Sequence, residues 1–155
     1  MREKKQVVFI CSGNICRSPL AEVLLREQIE KGSLDLETSS AGTLGIEDHA
    51  ANPDAVTAAS EVALDLRNHR SRGISHEILE DAFALVIMGP EHESAILSRY
   101  PDLGEAVVRL WEYCPAGRDA GEIEDPLGRG LAEFRRIRDV IREALDHWLP
   151  GIETS

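Results

Sequence analysis

Cys11 and Arg17 stand six residues apart in the run Cys11-Ser12-Gly13-Asn14-Ile15-Cys16-Arg17-Ser18-Pro19. A cysteine thiolate is a strong nucleophile, and arginine presents a planar fork of donors that matches two oxygens of an oxyanion. Gly13 and Asn14 tolerate left-handed turns, which curl backbone N–H groups inward. Pro19 suits the first turn of a helix, so the run leads into a helix N-terminus, where free amides and the helix dipole favour an anion. Such a loop fits a phosphate group. It lacks the Gly-Lys-Ser/Thr ending of a nucleotide-triphosphate loop and closes on arginine instead. On spacing alone, Cys11 also fits a plain core thiol at the end of a strand.

The elements around this run alternate. Gln6–Ile10 is a β-branched and aromatic stretch suited to a buried parallel strand, and the helical spacing of Leu20, Val23 and Leu24 predicts a helix over Pro19–Lys31. A second strand is expected at Leu36–Ser39, followed by a helix from Asn52-Pro53 to about Leu64. Phe83–Met88 predicts a third strand, with a helix opening at Gly89-Pro90 and running towards Tyr100. Val107–Leu110 predicts the fourth. Glu112–Gly130, broken by Pro115, Pro126 and several glycines, reads as a long functional loop. Leu131, Phe134, Ile137, Ile141, Leu145 and Trp148 then mark the core stripe of a final helix. The expected fold is an α/β single-domain three-layer sandwich over residues 1–155, a four-stranded parallel sheet with helices on both faces. Ligands of such folds bind at the carboxyl ends of the strands.

Composition narrows the partners. Seventeen basic against 28 acidic residues give a net charge of -11, which disfavours nucleic acid and anionic membrane surfaces. The apolar run Val7–Cys11 is too short for a signal-peptide core or a membrane span, so a cytoplasmic protein is expected. Three cysteines, an odd number, then read as reduced thiols. Cys11 and Cys16 have no nearby Cys or His pair at zinc spacing, and neither a metal nor a cofactor is expected. The oligomeric state stays open.

The string CSGNICRSPLAE after a hydrophobic strand resembles the signature of the low-molecular-weight protein tyrosine phosphatases, and the order of elements is similar to that family over nearly the whole chain. The resemblance implies Cys11 as nucleophile, Arg17 as oxyanion ligand, and Ser12, Gly13, Asn14, Ile15, Cys16 and Ser18 as the substrate-binding loop. It also implies a general acid in a late Asp-Pro pair, here Asp125-Pro126, although Asp-Pro by itself is an ordinary turn. Ser40 and His69 match a serine and a histidine that hold the loop asparagine in the family. Cys16, in the same loop as Cys11, makes a protective disulfide under peroxide conceivable, with a small buried filler as the plain alternative.

The expected substrate is phosphotyrosine on a protein or peptide. Ile15 resembles the tyrosine-directed members, whereas the arginine-directed members resemble this chain with threonine there. Leu127 and Gly128 stand where better-known tyrosine-directed members carry two tyrosines, Ile46 where many place an aromatic residue, and Gly89 in place of an acid. A protein arginine phosphatase and a non-catalytic phosphate-binding module are the alternatives. Thiol-dependent arsenate reductases share the loop but relay a disulfide through two further cysteines, and only Cys114 remains here.

Overall fold

The computed structural model describes residues 4–115 and 121–153. Its parallel sheet has the order β2-β1-β3-β4, formed by β1 (Lys5–Cys11), β2 (Leu36–Gly42), β3 (Ala84–Ile87) and β4 (Val107–Arg109). Alternation along β1 sends Val7, Phe9 and Cys11 to one face and Val8 and Ile10 to the other. The first face packs against α1 (Arg17–Gly32), α2 (Pro53–Ser60) and α5 (Leu131–Glu153). The second meets α3 (His76–Leu79) and α4 (Pro90–Arg99) through Leu79 and Ile96. The result is the expected single three-layer α/β sandwich.

Several boundaries differ from the sequence reading. β2 continues past Ser39 to Gly42, because its pairing with β1 runs on to Gly42 opposite Cys11. The second helix stops at Ser60, short of Leu64, since Ala63 takes a left-handed φ of 65° and turns the chain out. α1 begins at Arg17, two residues before Pro19, and α5 carries Pro150 in its last turns and ends at Glu153. The short α3 and the 3-10 turns Pro101–Ala106 and Leu110–Tyr113 have no periodicity that would announce them. The middle of the expected long loop, residues 116–120, lies outside the described residues.

Chain direction places a crevice between β1 and β3, where the connections leave to opposite sides of the sheet. The loop 11–17 follows β1 and crosses the end of β2: Thr43 and Leu44 donate N–H bonds to Cys11 O (2.9 Å) and Ser12 O (3.0 Å). Gly42 makes this crossing possible. A Cβ there would stand 2.6 Å from Ser12 O and 3.0 Å from the Asn14 nitrogen, both backbone atoms that cannot swing away. Gly42→Ala is therefore expected to lower folding stability by about 1–3 kcal/mol. Urea unfolding checks this, and a midpoint equal to that of the unaltered protein would show that the loop yields to the methyl group.

Candidate active site

The loop is held in shape by Asn14. Its φ of 59° is left-handed and its side chain is fully buried. Nδ2 donates to Ser18 Oγ (2.8 Å) and to Ser40 Oγ (2.9 Å), and Oδ1 accepts the Arg72 backbone N–H at 3.0 Å. The Asn14 carbonyl oxygen lies 2.7 Å from His69 Nε2. A carbonyl only accepts, so Nε2 carries the proton of that imidazole. Ser40 donates its own hydroxyl hydrogen bond to Glu22. Ser40 and His69 thus both meet at Asn14.

Cys11 ends β1, buried, with Sγ 2.9 Å from Ser18 Oγ. The Ser18 oxygen accepts from Asn14, and its own hydrogen is free to donate to the sulfur. No acidic residue occupies the first turn of α1 to compete for its N-terminal amides. Cys16 shares the loop but not the setting: burial, followed by the charges of Asp125 and Cys11, pushes its thiol up to about 12. It remains a thiol at neutral pH, which slows any attack it would make on an oxidised Cys11.

Arg17 opens α1 and is 3% exposed. Nη1 donates to Ile123 O at 2.9 Å, Nη2 lies 3.6 Å from Asp125 Oδ2, and Nε has no hydrogen-bond partner among the described residues. The segment carrying Asp125 is fastened to the sheet by Ile123 N–H bonding Met88 O (2.7 Å), just past β3. Asp125 is half-exposed and aimed by the Leu127 N–H on Oδ1 at 3.0 Å. Its neighbour Glu124 is engaged elsewhere, with Arg136 at 3.1 Å and Arg129 at 3.3 Å. A Cβ built on Gly13 would lie 3.5 Å from Ile15 and 3.6 Å from Ile46, so both side chains stand against the loop at Gly13. Leu127 is exposed beside it in sequence to Asp125. Among the described residues no group of three or more His, Cys, Asp or Glu is placed to hold a metal ion.

Sequence reasoning missed His92. It lies in the first turn of α4, fully buried, with Nε2 3.0 Å from Ser12 Oγ and 3.5 Å from Glu91 Oε1. Nδ1 has no partner among the described residues, so a proton on Nε2 avoids burying an unpaired N–H. His92 then donates to Ser12 and frees the serine hydrogen for the loop. Its position two residues after Pro90, at the end of a buried strand, was the available signal. Arg72 and Glu22, which complete the Asn14 network, carried none.

A family model described as low molecular weight phosphotyrosine protein phosphatase matches residues 6–155. The chain belongs to this family. It is 32% identical over 139 residues to a protein-arginine-phosphatase of Bacillus subtilis, covering 90% of this chain and 91% of that protein. A probable low molecular weight protein-tyrosine-phosphatase, EpsP of Ralstonia nicotianae, is 30% identical over 148 residues and 96% of both chains. An arsenate reductase of Staphylococcus xylosus is 32% identical over 94% of this chain and 97% of its own. Among solved structures, a Cys-to-Ser mutant of the YwlE arginine phosphatase with phosphorylated active-site serine matches with a TM-score of 0.89 at 29% identity, covering 97% of both chains.

Burial, then the Arg17 charge, brings His92 down to about 4. The unfolded chain protonates a histidine near pH 6.5, while folded His92 stays neutral to about pH 4, so folding loses stability as pH falls through that window. His92→Gln lacks this proton uptake. The difference in unfolding free energy between the two proteins should therefore shift in favour of the variant between pH 7.5 and pH 4.5. Urea titrations at the two pH values check it; a difference independent of pH would mean that folded and unfolded His92 titrate alike.

Proposed function

We infer that this chain is a cytoplasmic cysteine-dependent phosphatase, hydrolysing phosphotyrosine on proteins through a phosphocysteine intermediate. The observation that carries the reading is the Cys11 sulfur 2.9 Å from the Ser18 hydroxyl at the mouth of a helix N-terminus, with a buried Arg17 beside it. Cys11 attacks phosphorus as the bond to the leaving oxygen breaks. The loop amides and Arg17 hold the equatorial oxygens, and Asp125 gives its proton to the leaving group. Asp125 then takes a proton from water, whose oxygen displaces the sulfur and releases phosphate. Ser18 supports Cys11 as a thiolate, and His92 positions the Ser12 hydroxyl. The solved arginine phosphatase mutant with phosphorylated active-site serine supports a covalent intermediate at the corresponding site.

Asp125 is favoured over Glu124 because two arginines already hold Glu124. A disulfide relay of the arsenate reductase kind is disfavoured: outside the loop the chain has only Cys114. Cys11→Ser should abolish turnover of p-nitrophenyl phosphate while retaining vanadate binding, and Asp125→Asn should slow phosphotyrosine peptides by roughly 10²–10⁴-fold. Steady-state kinetics on the two variants check this. Retained turnover in Cys11→Ser would remove the covalent mechanism, and a loss in Glu124→Gln with none in Asp125→Asn would transfer the acid role.

The apolar flanks at Ile15 and Ile46 favour an aromatic leaving group. Phosphoarginine is the second reading. Leu127 and Gly128 give no aromatic wall after the acid, and the arginine phosphatase of Bacillus subtilis is a relative over 90% of the chain. Without that wall about 0.5–1.5 kcal/mol of ring contact is missing, which implies a high Michaelis constant for phosphotyrosine. Ile15→Thr should move the ratio of kcat/KM values towards phosphoarginine peptides. If the unaltered enzyme already prefers phosphoarginine, the segment after Pro126 sets specificity and Ile15 does not.

A further inference from the structure

A cavity of about 480 Å³ opens between α1 at Glu22 and Arg26, β2 at 38–40, and the segment 65–72. It is separate from the catalytic crevice, since neither the loop 11–18 nor His92 nor Asp125 lines it. Its volume falls within the range of about 300–1,000 Å³ typical of small-molecule sites. Three of its lining residues, Ser40, His69 and Arg72, are the ones that hold Asn14.

The charge balance of the wall runs against that of the chain. Three arginines (26, 70 and 72) face two carboxylates in a protein of net charge -11. Both carboxylates are occupied: Glu22 pairs with Arg26 and accepts from Ser40, and Asp65 takes two side-chain bonds from Arg67 at 3.0 Å. Arg70 reaches Asp48 only at 3.8 Å. Arg72 spends Nε on Ser40 O at 2.9 Å, and its two terminal nitrogens make no hydrogen bond or ion pair among the described residues. Arg72, partly buried with free terminal donors, and the exposed, weakly paired Arg70 line the same cavity, and guanidinium donors of this kind match a tetrahedral oxyanion. Because Nε2 of His69 carries the proton, Nδ1 is an acceptor, and with Asn68 and Ser39 it can meet the hydroxyls of an organic body.

We propose that this cavity is a second anion site that binds the phosphoryl group of a small hydroxylated phosphomonoester between Arg70 and Arg72. Occupancy is coupled to the catalytic loop through His69, whose Nε2 holds the Asn14 carbonyl while Nδ1 faces the ligand, and through Arg72, whose backbone N–H bonds the Asn14 side chain. By linkage, a ligand here changes the affinity of an anion in the loop, and the loop anion changes the affinity of the ligand by the same factor.

The test fills the catalytic loop first. Ribose 5-phosphate and, separately, inorganic phosphate are titrated calorimetrically into vanadate-saturated enzyme, and the vanadate affinity is then measured with and without the sugar phosphate. One further equivalent should bind, weakened roughly tenfold or more in Arg72→Gln. Arg70→Gln, whose side chain touches nothing of the Asn14 network, should show a similar loss and keeps the test sound if Arg72→Gln folds poorly. Tighter binding of ribose 5-phosphate than of phosphate supports contacts to the organic body. No saturable binding of either probe, or equal binding by the unaltered enzyme and the Arg70 variant, would overturn the site. A vanadate affinity indifferent to the sugar phosphate would overturn the coupling.

Discussion

Everything at the mouth of this sheet depends on one asparagine held in a left-handed conformation. Such a conformation is costly for a side-chain-bearing residue and persists only where the surroundings over-determine it. Asn14 meets that condition: both its amide hydrogens, its side-chain oxygen and its carbonyl are all used, by α1, β2 and the segment 69–72. None of these partners is near it in sequence except Ser18. The loop geometry is therefore a property of the folded sheet and not of the loop. It in turn sets which way the amides point and where Ser18 meets the sulfur of Cys11.

The second constraint is electrostatic. A buried guanidinium is expensive unless charge and hydrogen bonds compensate it. Arg17 has one carbonyl at 2.9 Å and one half-exposed carboxylate at 3.6 Å, and its Nε is without a partner among the described residues. That is partial compensation, and an oxyanion on the loop amides would supply the rest. Burial, helped by the same positive charge, keeps His92 neutral, so its imidazole can serve as a hydrogen-bond donor to Ser12 without adding a second cation. In a chain of net charge -11, affinity for an anion must come from such local arrangements.

What the sequence could reveal follows from how local each signal is. The strand-loop-helix run from Gln6 to Lys31, the buried strand at 84–87 and the stripe of α5 are written in contiguous residues, and their types could be read directly. The placement of Ser40, His69 and Asp125 near the loop depended on family resemblance, because nothing in their neighbours requires it. Gly42 and Arg72 were not legible, and His92 offered only its place just after Pro90. Gly42 matters only because β2 extends three residues further and brings its Cα against Ser12. Arg72 acts on Asn14 through its backbone, which any residue type could do. His92 acts through its side chain across a separation of 80 residues, a distance at which a single sequence carries no pairing information.

The two cysteines of the loop show how little of the chemistry resides in residue type. They are five positions apart on one short stretch of backbone, and both are buried. Cys11 faces a hydroxyl that accepts from Asn14 and has its own hydrogen free to offer the sulfur. Cys16 sits in the apolar layer under α1, where desolvation and three neighbouring negative groups raise it to about 12 against the opposing pull of Arg17. The two thiols thus differ in what they face: Cys11 a hydroxyl 2.9 Å away, Cys16 an apolar wall. Since that hydroxyl is held by Asn14, and Asn14 by strands and segments drawn from far along the chain, the surroundings of the Cys11 sulfur are in the end a consequence of sheet order.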